Sequence, residues 1–231
     1  MSLLELRGLC KVYNAGENEV RALMGVSLKI EAGEFVAVAG QSGSGKSTLM
    51  NILGCLDLPD AGEYLLDSED VARIGDDALA RIRNRRIGFI FQGFNLIPGL
   101  TALENVELPL IYRGIPRRER AALSAAALEQ VGIGHRMRHY PAQLSGGQQQ
   151  RVANARAIAA KPPILLADEP TGNLDSASGD EVMRILRRLN EEGRTIILIT
   201  HDERIAASAG RLIRIVDGRV VEDARRPAGL S

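Results

Sequence analysis

Phe35-Val36-Ala37-Val38-Ala39 runs directly into Gly40-Gln41-Ser42-Gly43-Ser44-Gly45-Lys46-Ser47-Thr48. Five apolar residues without a break are the pattern of a strand buried on both faces of a parallel sheet. The next nine fit G-x-x-x-x-G-K-[ST], a loop that cradles phosphates between a strand and a helix. A helix is predicted from Gly45 to about Leu56, because Leu49, Ile52, Leu53 and Leu56 recur at helical spacing. The glycines let successive backbone N–H groups turn inward toward phosphate oxygens. The helix N-terminus adds a fixed positive partial charge. Lys46 supplies a mobile full charge for the β- and γ-phosphates of ATP, and Ser47 offers a hydroxyl to Mg²⁺, which prefers oxygen ligands. Residues 40–48 are therefore all candidates for nucleotide binding. The competing reading, a flexible Gly/Ser turn, does not explain the strand before the loop and the helix after it.

Working outward, Ile87-Gly88-Phe89-Ile90-Phe91, Ile164-Leu165-Leu166-Ala167 and Thr195-Ile196-Ile197-Leu198-Ile199-Thr200 read as further buried strands. The segment 3–34 reads as short strands with a loop at 14–19, since Leu4, Leu6, Leu28 and Ile30 alternate with polar neighbours. Pro59-Asp60-Ala61-Gly62 is a turn. Asp217-Gly218, between the apolar positions of 212–221, signals a hairpin. Between residues 92 and 140 the character becomes helical. Pro116 opens a helix whose Leu123, Ala127, Leu128 and Val131 share a face, and Gly132 ends it. A helix over 148–160 stops at Lys161-Pro162-Pro163, and another with Val182, Ile185, Leu186 and Leu189 inward ends near Gly193. The tail 225–231 has no periodicity. The expected fold is an α/β phosphate-loop NTPase core with a mainly parallel sheet, an N-terminal antiparallel layer and an inserted helical subdomain. The expected division is a core of 1–91 with 153–231, and an insertion of 92–152.

Composition narrows the class. A length of 231 residues suits one large domain or a core with a smaller lobe. Twenty-nine basic residues balance twenty-nine acidic ones, which argues against nucleic acid as a bulk electrostatic partner. Cys10 and Cys55 form neither a disulfide framework nor a CxxC metal site, so a reducing compartment is expected. No apolar run approaches the ~18–20 residues of a membrane span, and residues 1–11 lack a signal-peptide core. Any work at a membrane would need spans from another chain.

Two further motifs bear chemistry. In Ile164-Leu165-Leu166-Ala167-Asp168-Glu169 a buried strand emerges into two acids at the sheet edge where ligands of α/β folds collect. Asp168 could hold Mg²⁺ and Glu169 could deprotonate an attacking water; an ordinary strand-end loop is the alternative. In Leu144-Ser145-Gly146-Gly147-Gln148 the plain reading is an N-cap serine and a glycine turn. It is also a second helix N-terminus stripped of side chains, suited to an anion carried by another subunit's nucleotide.

With the LSGGQ run at 144–148 in place, the sequence resembles the ATP-binding subunits of ABC transporters over nearly its whole length. The resemblance implies roles residue by residue. Tyr13, in KVY, would stack on adenine, though it could be a plain strand tyrosine. Gln92, after the strand ending at Phe91, would touch Mg²⁺ at the hinge to the helical lobe. Asn173-Leu174-Asp175 would cross to a partner subunit, with Asp175 at the nucleotide. His201 would contact the γ-phosphate. Catalysis would rest on Glu169, His201, Lys46 and Gln92, and Mg²⁺ on Ser47, Gln92 and Asp168. The nucleotide would lie between residues 40–48 of one copy and Ser145, Gly146, Gly147 and Gln148 of another, in an ATP-dependent head-to-tail homodimer. The stretches ENEVRAL up to Leu23, GCLDLPDAGEY at 54–64, FQGFNLIPGLTALENVELPL at 91–110 and LADEPTGNLDS at 166–176 look like the lipoprotein-releasing and macrolide-exporting branch. That resemblance implies a peripheral subunit on the cytoplasmic side of the inner membrane, driving export or extraction through a separate permease docked near 92–104. A signalling ATPase that opens a cell-wall hydrolase would use the same motifs. Asn154, in QRVANARA, departs from the family, which usually has an apolar residue there.

Overall fold

The continuous apolar runs form the centre of the molecule because each is covered on both faces. The computed structural model describes residues 2–225 apart from Ala15 and Glu17. The N-terminal strands β1 (Ser2–Tyr13) and β2 (Val20–Glu31) are twelve residues each, longer than the short strands expected. They pair antiparallel, with β4 (Ala61–Leu66) and β5 (Glu69–Asp70) completing a four-stranded sheet in the order β2-β1-β4-β5. The second sheet takes β3 (Phe35–Ala39), β6 (Ile87–Phe91), β7 (Ile164–Asp168), β8 (Thr195–Thr200), β9 (Arg211–Val216) and β10 (Arg219–Arg225), in the order β10-β9-β3-β8-β7-β6. Its pairs are parallel except the β9–β10 hairpin, whose turn holds Asp217 and Gly218 at positive φ. The fold is thus α/β, with a mainly parallel sheet and an antiparallel layer.

Alternate residues of each central strand feed two cores. Ala37, Leu165, Ala167 and Leu198 join one, and Val38, Leu166, Ile197 and Ile199 join the other. The first core takes α3 (Ala102–Tyr112), α4 (Arg117–Gln130), α5 (Gly146–Ala159), α6 (Ser176–Glu191) and α7 (Glu203–Ala206). The second lies under α1 (Lys46–Leu53), α2 (Asp76–Arg86) and the antiparallel sheet. A full side chain such as Leu166 or Ile197 buried this way contributes about 1.5–3 kcal/mol.

Several helix limits differ from expectation, for local reasons. Helix α1 stops at Leu53, not Leu56: the chain leaves it at Gly54 and Cys55 turns to φ +53°, so Leu56 lies half exposed. Helix α5 begins at Gly146, not 148, because Ser145 caps it. Neither α2 nor α3 was expected as a discrete helix. The α2 sequence DDALARIRNRR buries only Leu79, and α3 carries Pro109 in its interior. Arg225 ends β10, while the rest of the expected loose tail lies outside the described residues.

Candidate nucleotide site

Parallel strands bring all their C-terminal ends to one sheet edge. Register places Ala39 beside Thr200, Asp168 beside Ile199, and Phe91 beside Asp168. The loops that follow carry the predicted residues 40–48, Glu169, His201 and Gln92 to that edge.

The phosphate loop is tightly constrained. Gly45 sits at φ +103°, and a Cβ there would lie 2.3 Å from the Ala22 carbonyl oxygen, so no other residue fits. Lys46 is buried, and its Nζ donates to the carbonyls of Gly40 (2.8 Å) and Gln41 (2.7 Å). Burial lowers the pKa of its ammonium, while the nearby Glu169 and Asp168 carboxylates oppose that shift. Gln41, Ser42, Gly43 and Ser47 face solvent, whereas Ser44 is buried with its hydroxyl unpartnered.

The two acids occupy different environments. Asp168 ends β7, and burial together with the Glu169 charge pushes its carboxyl up against the pull of Lys46. Glu169 adopts φ +44°, a strained conformation for a non-glycine residue and one concentrated at functional sites. Its Oε1 accepts from the His201 backbone N–H at 2.9 Å and lies 2.6 Å from His201 Nδ1. Its Oε2 accepts from the Thr200 hydroxyl at 3.1 Å. Glu169 and His201 were expected in one catalytic set, with no contact between them foreseen; the structure joins them in one hydrogen-bonded unit. Thr200 was missed, because a threonine ending a buried strand carries no motif. Gln92 is held from the side: its backbone carbonyl accepts from Asn173 Nδ2 at 3.0 Å, and its amide lies 3.4 Å from Asn173 Oδ1.

The run 145–148 forms a complete capping box. Ser145 Oγ accepts from the Gln148 N–H at 3.3 Å, and Gln148 Oε1 accepts from the Ser145 N–H at 3.0 Å. Gly147 is required by close approach, since a Cβ would meet the Ser178 hydroxyl at 2.6 Å. Phe94, Asn173 and Leu174 lie against Gly146, whereas the phosphate loop lies against Ala22, Leu23, Gly218 and Ile215. The two turns share no neighbour in these sets. The Asp175 side chain is committed to capping α6, accepting from the Ser178 N–H at 2.9 Å and hydroxyl at 2.8 Å, which hold its carboxyl below the usual range. Tyr13 lies at the end of β1, with its hydroxyl donating to Asp57 Oδ2 at 2.8 Å.

A groove of about 730 Å³ opens between α2, β6, α3 and α5. Phe89, Phe91, Leu108 and Pro109 line its apolar part, and the Phe89 and Phe91 rings stack 5.5 Å apart. Tyr112 stands 81% exposed beside it. The apolar side chains at and just before 92–104, the stretch expected to meet a permease, point to different surroundings. Phe91 enters the groove, Leu96 packs on the helical core, and Ile97 faces solvent. No helix among the described residues is long and apolar enough to cross a membrane.

Known proteins share this chain's sequence and fold. A family model described as ABC transporter matches residues 23–172. The macrolide export ATP-binding/permease protein MacB 1/2 of Paracoccus denitrificans is 55% identical over 226 residues, covering 98% of this chain. This chain spans only 34% of that protein's length. An ABC transporter ATP-binding protein of Thermotoga maritima is 52% identical over 224 residues, covering 97% of this chain and 96% of the relative. The dimeric post-hydrolysis structure of the ATP-binding cassette MJ0796, bound to ADP and Pi, superposes with a TM-score of 0.88 at 47% identity. It covers 96% of this chain and 98% of that one. With its phosphate loop and paired acids at the edge of such a sheet and its LSGGQ turn capping α5, the chain belongs to the ABC transporter family and is its ATP-hydrolysing cassette.

Proposed function

We propose that the chain drives export or extraction of a lipoprotein, peptide or drug-like substrate through a separate permease, from the cytoplasmic face of the inner membrane. One observation carries the chemistry: Glu169, strained and hydrogen-bonded to His201 and Thr200, stands on the strand edge that also bears Lys46. ATP binds through the backbone of 40–48, with Lys46 against the β- and γ-phosphates and Tyr13 beneath adenine. Glu169 takes the proton of the attacking water, and Lys46 and His201 stabilise charge on the γ-phosphoryl group. No group of three His, Cys, Asp or Glu among the described residues forms a self-sufficient metal site. Exposed Ser47 and Gln92, with the half-buried Asp168, fit an ion that takes its remaining oxygens from phosphates and water. They would hold Mg²⁺, which supplies charge neutralisation at the β- and γ-oxygens when bound.

The separate surroundings of 40–48 and 145–148 support a head-to-tail homodimer in which each copy lends its second turn to the other's nucleotide. The loop 173–175, between Gln92 and the α6 cap, carries the contact across. Closure then excludes water and couples hydrolysis to a shape change. We take 92–152 as the moving lobe against a core of 1–91 and 153–231. The permease docks in the groove of Phe89, Phe91 and Tyr112, an apolar surface rimmed by Arg81, Arg85 and Arg113. The macrolide exporter joins ATP-binding and permease parts in one chain, which supports such a partner. The test is co-purification with any membrane protein encoded beside this chain. We expect a complex whose hydrolysis responds to transported substrate, and Tyr112→Asp should dissolve it. Failure of an intact chain to join any neighbouring membrane protein would overturn the transport reading.

A further inference from the structure

Beyond the phosphate loop, the structure builds a second constrained cluster around Tyr13. The loop leaving α1 returns to β1. Lys11 is buried, and its Nζ donates to Asp57 Oδ1 at 2.8 Å and to the Leu58 carbonyl at 2.7 Å, with Asp60 at 3.5 Å. The same ammonium lies 5.3 Å from the centroid of the Tyr13 ring, within cation–π reach. The other carboxylate oxygen of Asp57 accepts the Tyr13 hydroxyl at 2.8 Å. The phenol also interacts with the side chain of Thr48, the last residue of the phosphate loop. Asp60 Oδ2 accepts the Val12 N–H at 2.6 Å, and the Asp60 N–H donates to the Cys10 carbonyl at 2.9 Å, so both strands of the cluster are tied down. Burial raises the Asp57 carboxyl's pKa, but hydrogen bonds from Lys11 and Tyr13 outweigh it and keep the carboxyl below its usual range. Asp57 therefore remains an anion able to hold two donors at once.

We propose that Asp57 and Lys11 are positioning residues for the nucleobase, clamping the half-exposed Tyr13 ring by its hydroxyl and one face so that it meets adenine already oriented. The inference rests on Tyr13 being the adenine platform. A free tyrosine ring rotates about two side-chain bonds, and that freedom must be lost when a base stacks on it. The clamp removes the loss in advance. Loss of the hydroxyl then weakens nucleotide binding even though the stacking surface is unchanged.

The experiment measures binding of ATP and of inorganic tripolyphosphate to the full chain. Tyr13→Ala should weaken ATP binding about tenfold, the scale of one base–aromatic stack. Tyr13→Phe and Asp57→Ala should each weaken it about threefold, the scale of one hydrogen bond. Tripolyphosphate, which carries no base to stack, should bind Asp57→Ala within a factor of two of the unchanged chain. The pair Tyr13→Phe with Asp57→Ala should bind no more weakly than Asp57→Ala alone, because Asp57→Ala already removes the acceptor of the Tyr13 hydroxyl. Asp57→Asn, which keeps an acceptor oxygen for the phenol, should recover most of the affinity. If Tyr13→Ala binds ATP normally, the adenine platform itself is wrong. If Tyr13→Ala weakens binding while Tyr13→Phe does not, the platform stands and the clamp falls; this arm needs no change at Asp57. If Asp57→Ala weakens ATP and tripolyphosphate equally, Asp57 acts on the phosphate loop and the inference is overturned.

Discussion

Residues 40–48 and residues 145–148 both present a glycine-containing turn at the start of a helix, yet they are built by different means. The first turn is forced: Gly43 and Gly45 lie at positive φ, and Lys46 is folded back onto two loop carbonyls. The second is relaxed: Ser145 is extended, the capping box is complete, and α5 continues for fourteen residues. A turn that carries its own cation on a glycine-shaped backbone can hold phosphates unaided. A capped helix end offers only N–H groups and a partial charge, so it serves best when a phosphate held elsewhere is brought to it. The contrast suits one strong site and one latent site per chain, completed by pairing.

The strongest test of this contrast removes the cation. Lys46→Ala should lower ATP hydrolysis at least about a hundredfold, the scale of losing one preorganised charge at the transferring group. Phosphate release checks it, and a rate within twofold of wild type would break the assignment of the first turn. Next in size, Glu169→Gln should keep ATP binding but slow turnover about a hundredfold or more, since the amide cannot act as a base. With ATP it should accumulate a dimer visible by light scattering. Adding Ser145→Arg should abolish that dimer; persistence of the dimer would move the interface away from the second turn.

Glycine replacements sharpen the comparison on stability. Gly45→Ala must place a Cβ 2.3 Å from the Ala22 carbonyl oxygen in a left-handed conformation, so we expect a loss of about 2–3 kcal/mol by urea unfolding. Gly146→Ala meets only ordinary contacts at 3.7 Å and beyond, and should stay within about 0.5 kcal/mol. Equal losses would show that both turns exclude a side chain equally. The smallest effect concerns the interior of α5. Asn154 is fully buried, and its Oδ1 accepts from Gln150 Nε2 at 3.3 Å, while Asn154 Nδ2 and Gln150 Oε1 have no partner. Asn154→Leu alone should cost about 1 kcal/mol by orphaning the Gln150 amide, and adding Gln150→Leu should recover it. If the pair is worse than the single change, the polar pair is part of what holds α5 in place.

Local signals explain what could be read early. The central strands announced themselves as unbroken apolar runs because they are covered on both sides. Helix α2 did not, because eleven residues that bury one leucine leave almost no periodic apolar face. Helix α1 was overextended because Leu56 keeps the helical spacing, while the turn at Cys55 that ends the helix has no sequence mark. The capping role of Ser145 was legible as the plain reading, since capping chemistry is contained within four residues. The groove beside Phe89 and Phe91 was not legible, because contiguity along the chain is a poor guide to which apolar side chains share a surface.

The sequence by itself determined the phosphate loop, the strand that feeds it and the family, because glycine freedom, a lysine and flanking periodicities act within about ten residues. Tertiary structure alone decided that Glu169 and His201, thirty-two positions apart, lie 2.6 Å from each other. It alone decided that Asp57 reaches back 44 positions to hold Tyr13. Hydrogen bonds between distant residues depend on strand register and on where a helix ends, and no local pattern encodes either.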